Sequence, residues 1–127
     1  MEPRQFLRIE GLAVLVVSLG VYLTLDGPLW LLAVLALAPD LSMLGYLGGP
    51  RVGSLVYNVA HTYALPLALG GAGVWAGLGP AVLVAAVWAG HIGADRLLGY
   101  GLKFASGFGD THLSTQPKPA SILTYPE

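Results

Sequence analysis

From Val52 to Ala94 the chain carries no Asp, Glu, Lys or Arg. A helix that crosses a bilayer needs about 20 predominantly apolar residues. This stretch has room for two, provided something turns the chain midway. Gly77-Leu78-Gly79-Pro80 can do so, with Pro80 suited to the opening turn of the next helix.

The rest of the chain reads the same way. Gly11 to Leu25 is uncharged and is extended upstream by Phe6 and Leu7, and Asp26-Gly27-Pro28 is a turn signal. Leu29 to Leu47 is apolar except for Asp40 and stops at Gly48-Gly49-Pro50. The expected spans are 6–25, 29–47, 52–75 and 81–103. Lipid cannot satisfy open backbone groups, and four spans cannot close a barrel, so all four are read as helices. The expected fold is all-α: a four-transmembrane-helix bundle with short loops over residues 1–103. A polar cytoplasmic tail, 104–127, follows with Pro117, Pro119 and Pro126. Glu10 interrupts the first apolar run and no small-x-small site follows, so that run is expected to stay as a span rather than leave as a signal peptide.

Composition narrows the function classes. The chain is 55% hydrophobic and 10% charged, against about 25% charged in soluble domains. A net charge of -1 argues against a nucleic-acid partner, which needs a cationic surface. The absence of cysteine removes disulfides, thiolate zinc sites and a Cys nucleophile. The expected partner is the lipid bilayer, with a homo-oligomer open.

Arg4 and Arg8 flank the first span, Arg51 opens the third, and Arg96, Lys103 and Lys118 lie at or beyond the end of the fourth. All of them fall on one side of a four-span chain, and the turns around Asp26 and Leu78 carry none. By the positive-inside rule that side is cytoplasmic. The expectation is an integral plasma (inner) membrane protein with both termini in the cytoplasm. Trp30 and Trp75 then belong at the outer interface.

Ionisable groups within a span cost roughly 2.5–3.5 kcal/mol each near the bilayer centre. The spans nevertheless contain Glu10, Asp40, Asp95 and Arg96, with Asn58, His61 and His91. At about 1.5 Å rise per residue, Asp40, Asn58, His61 and Asp95 lie about 10–15 Å from the cytoplasmic ends and His91 near 18 Å. Asn58 and His61 share a helix face, as do His91 and Asp95. Pro39 before Asp40 and Pro66 after His61 can each free a backbone carbonyl.

Asp40, His61, His91 and Asp95 suit a divalent metal such as zinc, which can activate water for hydrolysis. Glu10 or Asp110 is the candidate general base, and Ser42 a nucleophile with His61 as its base. Asn58, Arg96 and His112 are supporting groups. The competing reading is a hydrogen-bonded polar plug, for example Asp95 with Arg96 or Asp40 with His61. Haem held by His61 and His91 is disfavoured by the neighbouring carboxylates. Gly70-Gly71-x-Gly73 lacks a strand and a basic partner, so it reads as helix packing. Asp110-Thr111-His112 is either a solvated loop or a lid over the cytoplasmic mouth of the cluster.

Several segments carry a resemblance. They include Leu7-Arg8-Ile9-Glu10-Gly11, Ala38-Pro39-Asp40-Leu41-Ser42, Gly49-Pro50-Arg51-Val52-Gly53, Tyr57-Asn58-x-x-His61-Thr62-Tyr63, His91-Ile92-Gly93-x-Asp95-Arg96 and Gly109-Asp110-Thr111-His112-Leu113. Together they resemble a family of small bacterial membrane proteins catalogued as a domain of unknown function, number 4260. The resemblance implies a four-span membrane protein and adds no substrate. Three functions stay open: a metal-dependent membrane hydrolase acting on a lipid-like substrate, an ion or proton carrier, and an accessory subunit whose polar cluster is structural.

Overall fold

The structure, a computed structural model, describes residues 1–114; Lys118 and the three tail prolines lie outside the described residues. Helix α1 runs Pro3–Thr24. Pro3 opens it, and the Glu2 backbone N–H donates to Gln5 Oε1 at 2.7 Å, closing a capping box. Asp26 turns the chain in the left-handed region (φ 57°). Tyr22, wholly buried, ties the turn by donating its hydroxyl to the Pro28 carbonyl at 2.6 Å. Helix α2 is Leu29–Leu37 and continues as a 3-10 segment, Ala38–Gly48. Then come α3 (Pro50–Ala60), α4 (Ala64–Ala76) and α5 (Gly79–Leu98).

Helix α5 is the axis of the bundle and packs against α1, α4 and α2. Its buried residues are mostly small: Ala85, Ala86, Ala89, Gly90 and Gly93. The α1–α5 pair is antiparallel, with Arg8 Nε donating to the Leu97 carbonyl at 2.8 Å near the start of one helix and the end of the other. Glycines make the seam close. A Cβ on Gly11 would stand 2.5 Å from the Gly93 carbonyl oxygen, and one on Gly93 would stand 2.6 Å from that of Gly11. This backbone approach is the usual role of small residues between membrane helices.

Three segments are long and apolar enough to cross a membrane: Pro3–Thr24, Leu29–Gly48 and Gly79–Leu98. Their outer faces carry exposed Val16, Val17, Leu23, Leu37 and Leu41. The chain is therefore a membrane protein, and among the described residues its regular structure is all helical apart from one isolated bridge between Lys103 and Thr111. Trp30 and Trp75 are 69% and 94% exposed, at the end of the bundle that holds the Asp26 and Gly77 turns.

The expected third helix, 52–75, is two helices. Proline at 66 has no N–H for the Thr62 carbonyl, and its ring would crowd that carbonyl in a continuous helix. The helix breaks at His61–Tyr63 and restarts at Ala64, which places Pro66 in a first turn where no N–H is required. α4 still runs antiparallel to α5, with Gly70 against Ala85 and Gly73 against Ala81 and Val82. The fourth helix stops at Leu98 rather than 103, because Gly99 adopts the left-handed conformation (φ 93°) that ends it. The second changes from α to 3-10 at Ala38, one residue before Pro39.

Candidate metal centre

Four side chains from three separate passes meet in the bundle: Asp40 from the 3-10 segment, His61 at the helix break, and His91 and Asp95 from α5. One ligand atom from each lies within 4.8 Å of the others. His61 Nε2 is 3.1 Å from Asp40 Oδ1 and 3.5 Å from Asp95 Oδ2. His91 Nε2 is 3.1 Å and 3.3 Å from the same two oxygens. The two Nε2 atoms are 3.3 Å apart. Ligands bonded tetrahedrally at about 2.0–2.1 Å to zinc stand about 3.3–3.4 Å from one another. These five separations bracket that value, and the sixth, between the two carboxylate oxygens, is within 4.8 Å.

The far side of each ring fixes its tautomer. His61 Nδ1 is 2.9 Å from the Tyr57 carbonyl and His91 Nδ1 is 2.5 Å from the Ala36 carbonyl. A carbonyl only accepts, so both Nδ1 atoms carry the hydrogen, and each ring in its neutral form turns a bare Nε2 inward. Two imidazole nitrogens and two carboxylate oxygens thus face a common point. A carbonyl behind a ligand histidine is the usual support of a metal-binding imidazole.

The local sequence explains both carbonyls. In a 3-10 turn the Ala36 carbonyl is due the N–H of residue 39, and residue 39 is a proline without one. Ala36 is left to accept from His91. The break after α3 opens the Ala60 and His61 carbonyls in the same way. Trp88 Nε1 donates to the first at 2.6 Å and Arg96 Nη2 to the second at 2.9 Å. Non-helical backbone at membrane depth requires such replacement donors.

His61 is wholly buried, whereas the Asp40 side chain is 38% exposed and forms the open edge of the quartet. Tyr57 lies flat on the His61 ring, with centroids 3.7 Å apart and planes 7° apart. Beneath Tyr57 sits the buried Lys103 ammonium, 4.6 Å from that ring and 3.8 Å from the Phe108 ring, donating to the Phe108 carbonyl at 2.9 Å. Burial pushes the Lys103 ammonium below its ordinary pKa, against the opposing pull of Asp95.

The supporting residues act on backbone. Asn58 clamps Lys103, accepting from its N–H at 2.6 Å and donating to its carbonyl at 2.8 Å. Arg96 does not pair with Asp95 among the described hydrogen bonds; it donates to the His61 and Tyr100 carbonyls and lies over the Tyr63 ring. His112 accepts from the Leu102 N–H at 2.8 Å. Residues 103–113 thus fold back onto the bundle, with Thr111 and Leu113 buried.

The three candidate catalytic groups have no described hydrogen bond to the quartet. Ser42 Oγ donates to the Pro39 carbonyl at 2.7 Å within its own segment. Asp110 is exposed and accepts from Ser106 at 2.8 Å. Glu10 is exposed on α1, next to Gly11. Sequence reading did not single out Tyr57, Trp88 or Phe108 for the site. Tyr57 was findable, since it stands four residues before His61 on one helix face.

A family model described as a domain of unknown function (DUF4260) matches residues 4–115, and the chain belongs to that family. No curated protein and no solved structure matches it significantly.

Proposed function

We propose that this chain is a membrane-embedded, metal-dependent hydrolase acting on a lipid-like substrate, with Asp40, His61, His91 and Asp95 as ligands to zinc. The observation that carries the reading is the set of five ligand-to-ligand separations of 3.1–3.5 Å, with each imidazole held by a main-chain carbonyl at Nδ1 and its Nε2 turned inward. Two neutral histidines and two carboxylates leave a charge that one divalent cation cancels. Histidine and carboxylate donors suit zinc among the first-row metals.

Zinc supplies a bound water of lowered pKa and polarises a carbonyl. Asp40 is the ligand with freedom to admit water, because its side chain is 38% exposed and its segment is 3-10 rather than α. Its carboxylate takes the proton in place of Glu10 or Asp110. The water oxygen bonds to the acyl carbon, the bond to the leaving group breaks, and the proton passes to the departing atom. The basic end of the bundle, with Arg8 and Lys103, faces the cytoplasm of the plasma (inner) membrane in this reading.

A second reading draws on the closure of the quartet. Four protein ligands complete a tetrahedron, which is the mark of a structural zinc site. An accessory subunit locked by its metal fits that closure.

Elemental analysis of protein purified in detergent with zinc present tests the assignment. The expected result is a single zinc equivalent per chain, lost in His91→Ala. Protein without metal, and unchanged by His91→Ala, overturns it. Bound zinc with no hydrolysis of any acyl ester favours the structural reading.

A further inference from the structure

Beside the quartet the helices line a partly open cavity of about 320 Å³. Its walls include Leu35, Ala38, Pro39, Ala60, Val84 and Trp88. Pro39 and Ala60 immediately precede Asp40 and His61, and Trp88 lies one turn before His91. Leu35 and Val84 extend the wall toward the end of the bundle that carries Trp30 and Trp75. The cavity therefore lies beside the ligands, walled by their chain neighbours, and extends into the apolar half of the protein.

The lining is almost wholly apolar, and the reason is specific. Ser42, also in the wall, spends its hydroxyl on the Pro39 carbonyl, and Trp88 gives its N–H to the Ala60 carbonyl. A resident water needs two to four polar partners, and these walls offer few. The volume lies at the lower end of the range for small-molecule sites, about 300–1,000 Å³. An apolar cavity beside an oxygen-seeking cation selects one chemistry: an oxygen-bearing head on a hydrocarbon chain.

We propose that this cavity seats the hydrocarbon chain of an acyl substrate, with the carbonyl head at the Asp40 edge of the metal centre. The proposal rests on the metal reading above and adds the substrate class. Chain-length preference then resides in Leu35 and Val84, and it is separable from metal binding.

Alkyl hydroxamates, from acetohydroxamate to long-chain homologues, are suitable probes, since they present the same metal-binding head and differ only in hydrocarbon. They would be titrated calorimetrically into the full-length zinc-loaded protein in detergent, wild type and Val84→Phe, with zinc content measured in both. Comparing the two proteins at each chain length cancels partition into micelles. The expected result is unchanged acetohydroxamate affinity and a loss of about tenfold or more for long chains in Val84→Phe, the worth of roughly two buried methylenes. Leu35→Phe serves the same purpose if Val84→Phe does not fold.

An equal affinity ratio at every chain length overturns the acyl cavity while the metal centre stands. Bound zinc with no affinity for any hydroxamate, acetohydroxamate included, overturns the cavity and the hydrolytic reading together. Absence of zinc from the wild type overturns the metal centre itself.

Discussion

His61 and His91 point their Nε2 atoms at each other across 3.3 Å, and each holds its Nδ1 against a main-chain carbonyl. Two lone pairs at that distance repel unless a cation or a proton lies between them. The carbonyls behind the rings keep either imidazole from turning away. The rings are therefore set for an occupant by the backbone rather than by each other.

Zinc should accordingly stabilise the fold. At a free concentration about 100-fold above its Kd, a ligand that binds only the native state adds about 2.7 kcal/mol. Thermal unfolding in detergent is expected to shift upward with zinc and back with a chelator, and His91→Ala should show neither shift. Equal melting temperatures with zinc and with chelator would count against a metal at this position.

Pro39→Ala tests the support behind His91. The substitution restores an N–H at position 39, which then competes for the Ala36 carbonyl and loosens the ring. Losing such a partner typically costs about 10–100-fold in metal affinity. Competition against a chromogenic chelator measures it. Helix content by circular dichroism should hold or rise, which separates the effect from unfolding.

The α1–α5 seam should be intolerant of a single methyl group. Gly11→Ala and Gly93→Ala each place a Cβ within 2.6 Å of a backbone carbonyl oxygen. Overpacking of this kind costs about 1–3 kcal/mol, read as a lowered melting temperature. Gly20→Ala is the control, since a Cβ there meets nothing within 4 Å.

Asn58→Leu should release the returning segment 103–113. It strips partners from the Lys103 N–H and carbonyl, at about 1–3 kcal/mol for each buried group left unpaired. Proteolysis within 104–110 should accelerate several-fold in the variant. An unchanged cleavage rate would show that the aromatic stack on Lys103 suffices to hold the segment.

Acid should release the same segment. Burial first, and then the charge of Arg96, hold His112 below its ordinary value of 6.5. The docked state therefore favours the neutral ring, while the undocked one takes up a proton near 6.5. Docking is at full strength above that pH and weakens as pH falls toward the lowered value. Hydrogen exchange at the Leu102 amide, which donates to His112, should lose protection on acidification, and His112→Gln should remove the pH dependence.

The helices and the quartet were both legible in the sequence, for one reason. Apolar length marks a membrane helix, and an ionisable residue inside that length is costly enough to stand out, as Asp40, His61, His91 and Asp95 do. The break at His61–Tyr63 was legible only as a possibility attached to Pro66. Hydropathy is blind to it, because Trp88 and Arg96 repair the open carbonyls from another helix. Asn58 and Arg96 were legible as supporting groups, but not what they would support. Both were read as neighbours of a ligand set, and both bind backbone across long sequence separations. For Asp110-Thr111-His112 the readings were a solvated loop or a lid; the docked course of residues 103–113 was not legible, since its anchors, Lys103 over Tyr57 and Asn58 on Lys103, join segments that local patterns do not connect.

The seam between Gly11 and Gly93 also bears on how the chain is made. It joins α1 to α5, so it cannot close until the three helical passages between them have been synthesised. Until then α1 must wait in the bilayer with its glycine notch facing lipid or a helper, and only the arrival of α5 ends the wait. Biogenesis, more than the finished protein, is where a defect at either glycine would first be felt.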